Sequence, residues 1–179
     1  MRSKRMTERA AAGAGWTTWR PQRKHTMLVT GGSGFLGRHL AEAAGAAGWE
    51  WIAPPSRALD IRDRELVVHQ IRDWRPSVIV HLAYRRDDAR TIVEGSANVA
   101  EAAKACRARL IHLSTDVVFR GREAAYGEAD AADAVIDYGR WKADAERLVA
   151  AAHPTALILR TSLLYGTNRL APLQTDVRD

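Results

Sequence analysis

Tyr138 and Lys142 stand four apart, separated by Gly139, Arg140 and Trp141, at the start of a stretch with helical periodicity. On a helix, positions i and i+4 share one face. An ammonium beside a phenol favours the phenolate and lowers a pKa that is ordinarily about 10. A tyrosine tuned in this way exchanges a proton with a carbonyl or hydroxyl group near neutral pH. The spacing alone is common on helix surfaces, so its weight comes from what accompanies it. Ser114-Thr115-Asp116 directly follows the apolar run Leu110-Ile111-His112-Leu113. If that run is a strand, Thr115 sits at its carboxyl end, where open α/β folds bind ligands. Its hydroxyl can orient a reacting oxygen while Tyr138 delivers the proton. The plainer role for Thr115 is a loop-start hydroxyl bonded to nearby backbone.

A second constellation is the turn Thr30-Gly31-Gly32-Ser33-Gly34-Phe35-Leu36-Gly37, placed between an apolar run and a helical stretch. Gly31 permits a tight turn, Gly34 lets backbone approach a pyrophosphate, and Gly37 lets the helix pack close to a sheet. The helix N-terminus then offers unpaired N–H groups to phosphate oxygens. The strand-before, helix-after context separates this pattern from a bare glycine turn. A P-loop is excluded, because Arg38-His39 stand where it requires Lys followed by Ser or Thr. NAD sites place an acidic residue at the end of the second strand. This chain has Pro55-Ser56-Arg57 there. Arg57 can pair with a 2′-phosphate and Ser56 can donate to it. NADP(H) is therefore the expected cofactor, with NAD(H) the alternative.

These residues need elements to hold them. Short apolar runs predict strands over 27–30, 51–53, 78–82, 110–113 and 156–159. Helical periodicity predicts helices over 35–47, 63–74, 91–106 and 138–152. Strands alternating with helices at this spacing predict a Rossmann-type, doubly wound parallel sheet with helices on both faces. The 179 residues are 46% apolar and 27% charged, enough to build one core. The single cysteine, Cys106, excludes a disulfide framework and a multi-cysteine metal site, and points to a reducing cytoplasm. The six histidines show no metal-ligand spacing. Of these, His81 and His112 fall within strands and read as core or hydrogen-bonded residues. No apolar run approaches the roughly 18 residues of a membrane span.

The net charge of +6 is confined to residues 1–26, and residues 27–179 carry 20 basic and 20 acidic side chains. A neutral body argues against a nucleic-acid-binding face. Residues 1–26 therefore read as a basic, unstructured leader, and residues 27–167 as the dinucleotide-binding domain.

The glycine turn, the Tyr-x-x-x-Lys pair and the strand-ending Ser-Thr together resemble the extended short-chain dehydrogenase/reductases. The resemblance is closest to the dTDP-4-dehydrorhamnose reductase group. Four segments carry it: Leu59-Asp60-Ile61, Ser114 to Gly121, Tyr138 to Lys142, and Leu159 to Gly166. The resemblance implies that Thr115, Tyr138 and Lys142 are catalytic. It implies that Gly31, Gly34, Phe35, Leu36, Gly37, Asp60, Ile61, Leu82 and Ala83 line the cofactor. Tyr84 would lie near the nicotinamide, and Lys142 would also hold the nicotinamide ribose. The implied reaction is hydride transfer to a 4-keto group of a nucleotide-linked deoxysugar.

The chain departs from the group's pattern at Ile92, where an asparagine is common, at Trp141, where a serine is usual, and at Ala134, where a proline is usual. The group's chains usually continue for roughly another hundred residues that build a substrate lobe. Residues 168–179 read as a polar tail of that region, so the small lobe is expected to be largely absent. An uncovered sheet edge would invite a second copy or a partner enzyme. The same group resembles the regulatory subunit of methionine adenosyltransferase, which keeps the fold while serving a partner enzyme. A sugar-nucleotide epimerase or dehydratase is a further alternative; dehydratases usually carry Asp-Glu after the catalytic threonine, where this chain has Asp116-Val117.

Overall fold

The central strands of the sheet are apolar runs with buried side chains, and its two edge strands are only partly buried. The computed structural model describes residues 25–122 and 125–165. In chain order the elements are β1 (Thr26–Thr30), α1 (Phe35–Ala46), β2 (Glu50–Ile52), α2 (Arg64–Trp74), β3 (Val78–His81), α3 (Ala89–Ala105), β4 (Arg109–Thr115), a 3₁₀ turn (Asp116–Val118), α4 (Asp137–Ala152) and β5 (Leu157–Thr161). The five strands are parallel and lie in the order β2-β1-β3-β4-β5. The expectation of a parallel Rossmann-type sheet holds, with element ends shifted by a few residues. The expected leader up to residue 24 and the polar tail fall outside the described residues.

Alternation along the strands builds two cores. Leu28, Ile79 and Leu110 point to one face and pack with Val67 and Ile71 of α2, Val99 of α3 and Val149 of α4. Met27, Val29, Val78 and Val80 point to the other face and pack with Ala44 and Leu40 of α1. Full burial of each such side chain contributes about 1.5–3 kcal/mol. Across β5, Leu157 and Leu159 sit in register with Ile111 and Leu113 and are 51% and 40% exposed.

Capping explains where the helices begin. Asp63 accepts from the Leu66 N–H at 3.0 Å and starts α2. Asp88 accepts from the Thr91 N–H at 3.1 Å and starts α3 two residues before its periodicity predicts. By contrast, α1 begins at Gly34 with no side-chain cap, which leaves its first N–H groups open at the carboxyl edge of β1.

β3 ends on His81, which sits in register with His112 of β4. Both are buried, with ring centroids 5.3 Å apart. A hydrogen-bond chain settles the tautomer of His81. The Ser96 hydroxyl donates to Ile92 O at 2.6 Å, so it accepts from His81 Nε2–H at 3.0 Å. His81 Nδ1 then accepts from the Thr30 hydroxyl at 2.6 Å, and Thr30 Oγ1 accepts from the Ala83 N–H at 3.3 Å. Burial, aided by the Lys142 charge, holds His81 neutral with its pKa pushed down to about 3. Burial, with His81 and Lys142, takes His112 to about 2.

Both folded-state values lie below the ordinary histidine value of about 6.5, so the unfolded chain binds protons first. Their contribution to stability is complete above about pH 6.5 and is lost as pH falls. By pH 5 the loss is about 2 kcal/mol per ring. Urea midpoints at pH 7.5 and pH 5.0 should show it, and His112→Phe should flatten the dependence. Equal midpoints in the native chain would mean that the pair is not buried and neutral.

Candidate active site

The order of the sheet decides where a ligand can sit. β2 and β3 flank β1 on opposite sides, so the chain leaves the carboxyl ends of β1 and β3 toward different faces and opens a crevice between them. A cleft of about 590 Å³ occupies that crevice. From the β1 end it is lined by Thr30, Gly31, Ser33 and Gly34, and from β2 by Pro54, Ser56 and Arg57. Leu59, Asp60, Ile61 and Arg62 form its far wall, with Leu82, Ala83, Tyr84 and Arg85 arriving from β3.

Backbone approach shapes the near wall. Gly31 has φ +73°, and a Cβ there would lie 2.7 Å from Ala83 N. A Cβ at Gly34 would meet Gly31 O at 3.1 Å. The wall is thus bare main chain beside the open N-terminus of α1, a surface suited to a pyrophosphate. Gly37 is buried inside the turn, where a Cβ would come within 2.5 Å of Gly32. Phe35 and Leu36 are half-buried on α1 and do not line the cleft; the Phe35 ring packs on His39 at 4.6 Å.

The far wall is held by charge. Arg62 donates to Asp60 at 2.7 Å and reaches Asp88 at 3.3 Å. Hydrogen bonds from Arg62 hold the Asp60 carboxyl down at about 2. Asn98 of α3 donates to Ile61 O at 2.9 Å from a buried position, and Gly95 leaves room for the Ile61 side chain. Ser56 and Arg57 are exposed at the cleft mouth, and among the described residues Arg57 makes no ion pair.

The residues expected from the sequence to transfer a proton gather along the same edge. Thr115 ends β4, accepts from the Val117 N–H at 3.3 Å and donates to Asp116 at 3.2 Å. Gly139 presses α4 against that turn, since a Cβ would lie 2.3 Å from Val117 O. Tyr138 is thereby set on the first turn of α4, its ring centroid 6.0 Å from that of Tyr84. Tyr84 belongs to the cleft wall, so it joins the two halves of the site.

Lys142 lies one turn beyond Tyr138 on α4. Its ammonium is buried and donates to Leu113 O at 2.6 Å. Burial lowers its pKa to about 8, with Glu146 opposing. Tyr138 is pushed up to about 12 rather than lowered, mainly by burial and also by Tyr84 and Asp116, against Arg86. The phenol therefore keeps its proton at neutral pH. Glu146 is itself engaged by Arg160 at 2.7 Å, and the Arg160 guanidinium stacks 4.8 Å from the Phe119 ring, tying the Arg-Thr-Ser strand to the Val-Phe segment.

Several of these residues escape a reading of the sequence. Arg62, Asn98, Gly95 and Gly139 act on positions distant in the chain or on backbone. Only Gly139 stands inside a motif, and its spacing does not say which carbonyl it faces.

The profile of the RmlD substrate binding domain matches residues 25–175. The chain belongs to the RmlD substrate-binding domain family. The resemblance to dTDP-4-dehydrorhamnose reductases is thus borne out. A dTDP-4-dehydrorhamnose reductase from Aggregatibacter actinomycetemcomitans is 35% identical over 152 residues, 78% of this chain and 52% of that protein. The beta subunit of methionine adenosyltransferase 2 from Mus musculus is 34% identical over 157 residues, 78% of this chain and 47% of that protein. Among solved structures, a dTDP-4-dehydrorhamnose reductase from Bacillus anthracis in complex with NADP superposes with TM-score 0.80 at 30% identity, covering 89% of this chain and 61% of that one. The chain spans about half the length of the curated relatives it matches. Among the described residues, no helix of this family member is long and apolar enough to cross a membrane.

The Gly31 turn generates a direct test. Gly31→Ala forces a side chain into left-handed backbone and against Ala83, which should cost at least about 1–2 kcal/mol. The thermal midpoint by circular dichroism should fall by several degrees. Gly45→Ala is the control: it lies within α1 with open space around a Cβ and should stabilise by about 0.5–1 kcal/mol.

Proposed function

We propose that the chain holds a nicotinamide dinucleotide, NADP(H) in preference to NAD(H), and reduces the 4-keto group of a nucleotide-linked deoxysugar. One observation carries this reading: the glycine-walled cleft and the Tyr138 phenol share one sheet edge, with Tyr84 touching both. The cleft fits the group, because bare backbone at Gly31 and Gly34 meets an uncapped helix N-terminus. Gly31, Gly34 and the α1 N–H groups would hold the pyrophosphate. Asp60 and Ile61 would flank the adenine, Ser56 and Arg57 would take the 2′-phosphate, and Leu82 and Ala83 would form the floor. Similarity to a reductase solved with NADP supports the cofactor.

When bound, the dinucleotide supplies a hydride to the carbonyl carbon. The chain's own residues handle the oxygen. Thr115 orients the carbonyl by donating a hydrogen bond. Tyr138, which stays protonated at neutral pH, gives its proton to the developing alkoxide. Lys142, whose ammonium donates to Leu113 O, would hold the nicotinamide ribose.

A second reading is a non-catalytic NADP-binding subunit of a partner enzyme, favoured by the 34% identity to the mouse methionine adenosyltransferase beta subunit. Titration with NADPH and NADH by nicotinamide fluorescence, followed by turnover of a dTDP-linked 4-keto-6-deoxysugar, separates the two. NADPH should bind more tightly. Arg57→Ala should weaken NADPH about ten-fold and leave NADH nearly unchanged. Tyr138→Phe should lower turnover about 10²–10⁴-fold. Tight NADPH binding without turnover would favour the subunit reading, and failure of a folded chain to bind either dinucleotide would sink both.

A further inference from the structure

We propose that Glu146 is a positioning residue for the Tyr138–Lys142 pair: its carboxylate, one helical turn beyond Lys142, is the counter-charge of the buried ammonium, and Arg160 holds that carboxylate in place. The proposal rests on the reading of Tyr138 and Lys142 as the proton-transfer pair. Tyr138, Lys142 and Glu146 follow one another at intervals of four on α4 and share one face. Lys142 and Glu146 are both buried, 6% and 7% exposed. Arg160 of β5 donates from Nε to both carboxylate oxygens at 3.1 and 3.2 Å, and from Nη2 to one of them at 2.7 Å. Its guanidinium carbon lies over the Phe119 ring, 4.8 Å from the centroid.

An ammonium taken out of water is disfavoured in its charged form unless an opposite charge lies close. The Leu113 carbonyl accepts a hydrogen bond from Lys142 at 2.6 Å but brings no net charge. Among the described residues, the other groups around the ammonium supply no anion. His81 of β3 and His112 of β4 are buried and stay neutral. The buried polar side chains of α3 are Thr91, Ser96 and Asn98, none of them charged. Asp137 and Asp144 of α4 are exposed and paired with Arg140 and Arg147, and Asp116 of the 3₁₀ turn bears on Tyr138. Burial disfavours the Lys142 ammonium most, and Glu146 is the side chain that favours it. Arg160 fixes the carboxylate and, as a second cation, offsets part of its field. The two members of one ion pair therefore act on Lys142 with opposite sign.

The test reads Lys142 directly, without cofactor or substrate. The chain carries ¹³Cε-labelled lysine, its lysines being Lys4, Lys24, Lys104 and Lys142. The Lys142 signal is assigned by its loss in Lys142→Arg, and pH is raised through the range in which circular dichroism is constant. Glu146→Gln should move the Lys142 midpoint down by about half to one pH unit, about a three- to ten-fold lower ratio of ammonium to amine at a given pH. Glu146→Asp, which keeps the charge, should recover most of that shift. Arg160→Gln breaks the same ion pair but should move the midpoint up, whereas a merely structural role predicts that both variants move it alike. If Glu146→Gln loses its native spectrum, Glu146→Met combined with Arg160→Met replaces the pair by apolar groups and should still lower the midpoint. An unmoved midpoint in a folded variant lacking the Glu146 charge, or a downward shift in Arg160→Gln, overturns the proposal and leaves the reductase reading intact. Undiminished turnover in Tyr138→Phe sinks the reductase reading but leaves the titration result standing.

Discussion

The turn after β1 lies so close to the end of β3 that no side chain fits between them. A Cβ on Gly31 would sit 2.7 Å from Ala83 N, so the crevice wall on this side is main chain. The rest of the site inherits its geometry from that contact. Thr30, immediately before the glycine, is locked to His81 and to the Ala83 N–H, and His81 is locked through Ser96 to α3. Three elements are clamped at one corner by neutral hydrogen bonds in a dry interior, where such a network is rigid only if each donor finds its acceptor. With that corner fixed, the open N-terminus of α1 and the backbone of Gly31 and Gly34 present their groups to one small volume.

The far wall is built by the opposite means. Asp60, Arg62 and Asp88 form a half-exposed ion-pair chain at the cleft wall, while Asn98 secures Ile61 O from a buried position. Half-exposed ion pairs contribute little stability. Their value here is placement: they orient Asp60 and the Ile61 backbone without filling the crevice. A rigid wall of backbone and an adjustable wall of charged side chains suit a ligand with a phosphate at one end and a flat ring system at the other.

Burial sets the proton chemistry. The same packing that presses Gly139 onto Val117 O carries Tyr138 into a low-dielectric position, where the phenol holds its proton. Lys142 is drawn inward by its bond to Leu113 O and is itself shifted toward the neutral form. Side chains from other elements also bear on the phenol: Tyr84 and Asp116 disfavour the phenolate and Arg86 favours it.

Much of this was legible in the residues themselves. Period-two apolar runs and 3.6-residue helical stretches determine the alternation of strands and helices, because burial patterns are local. The glycines after the first strand predict a phosphate-type turn, and the reason is local: Gly31 takes left-handed backbone and Gly37 leaves no room for a Cβ against Gly32. The strand-ending Thr115 and the Tyr138–Lys142 spacing mark these side chains as the candidates for moving a proton. The tertiary structure alone decided what each of them faces. Asp88 caps α3 and moves its start, Gly139 meets Val117 O, Asn98 reaches Ile61 O across the fold, and Lys142 donates to Leu113 O. A pKa depends on desolvation and on charges within a few ångströms, whichever part of the chain they come from. Helical spacing could therefore place Tyr138 and Lys142 on one face, but only the packed sheet edge could raise the phenol instead of lowering it.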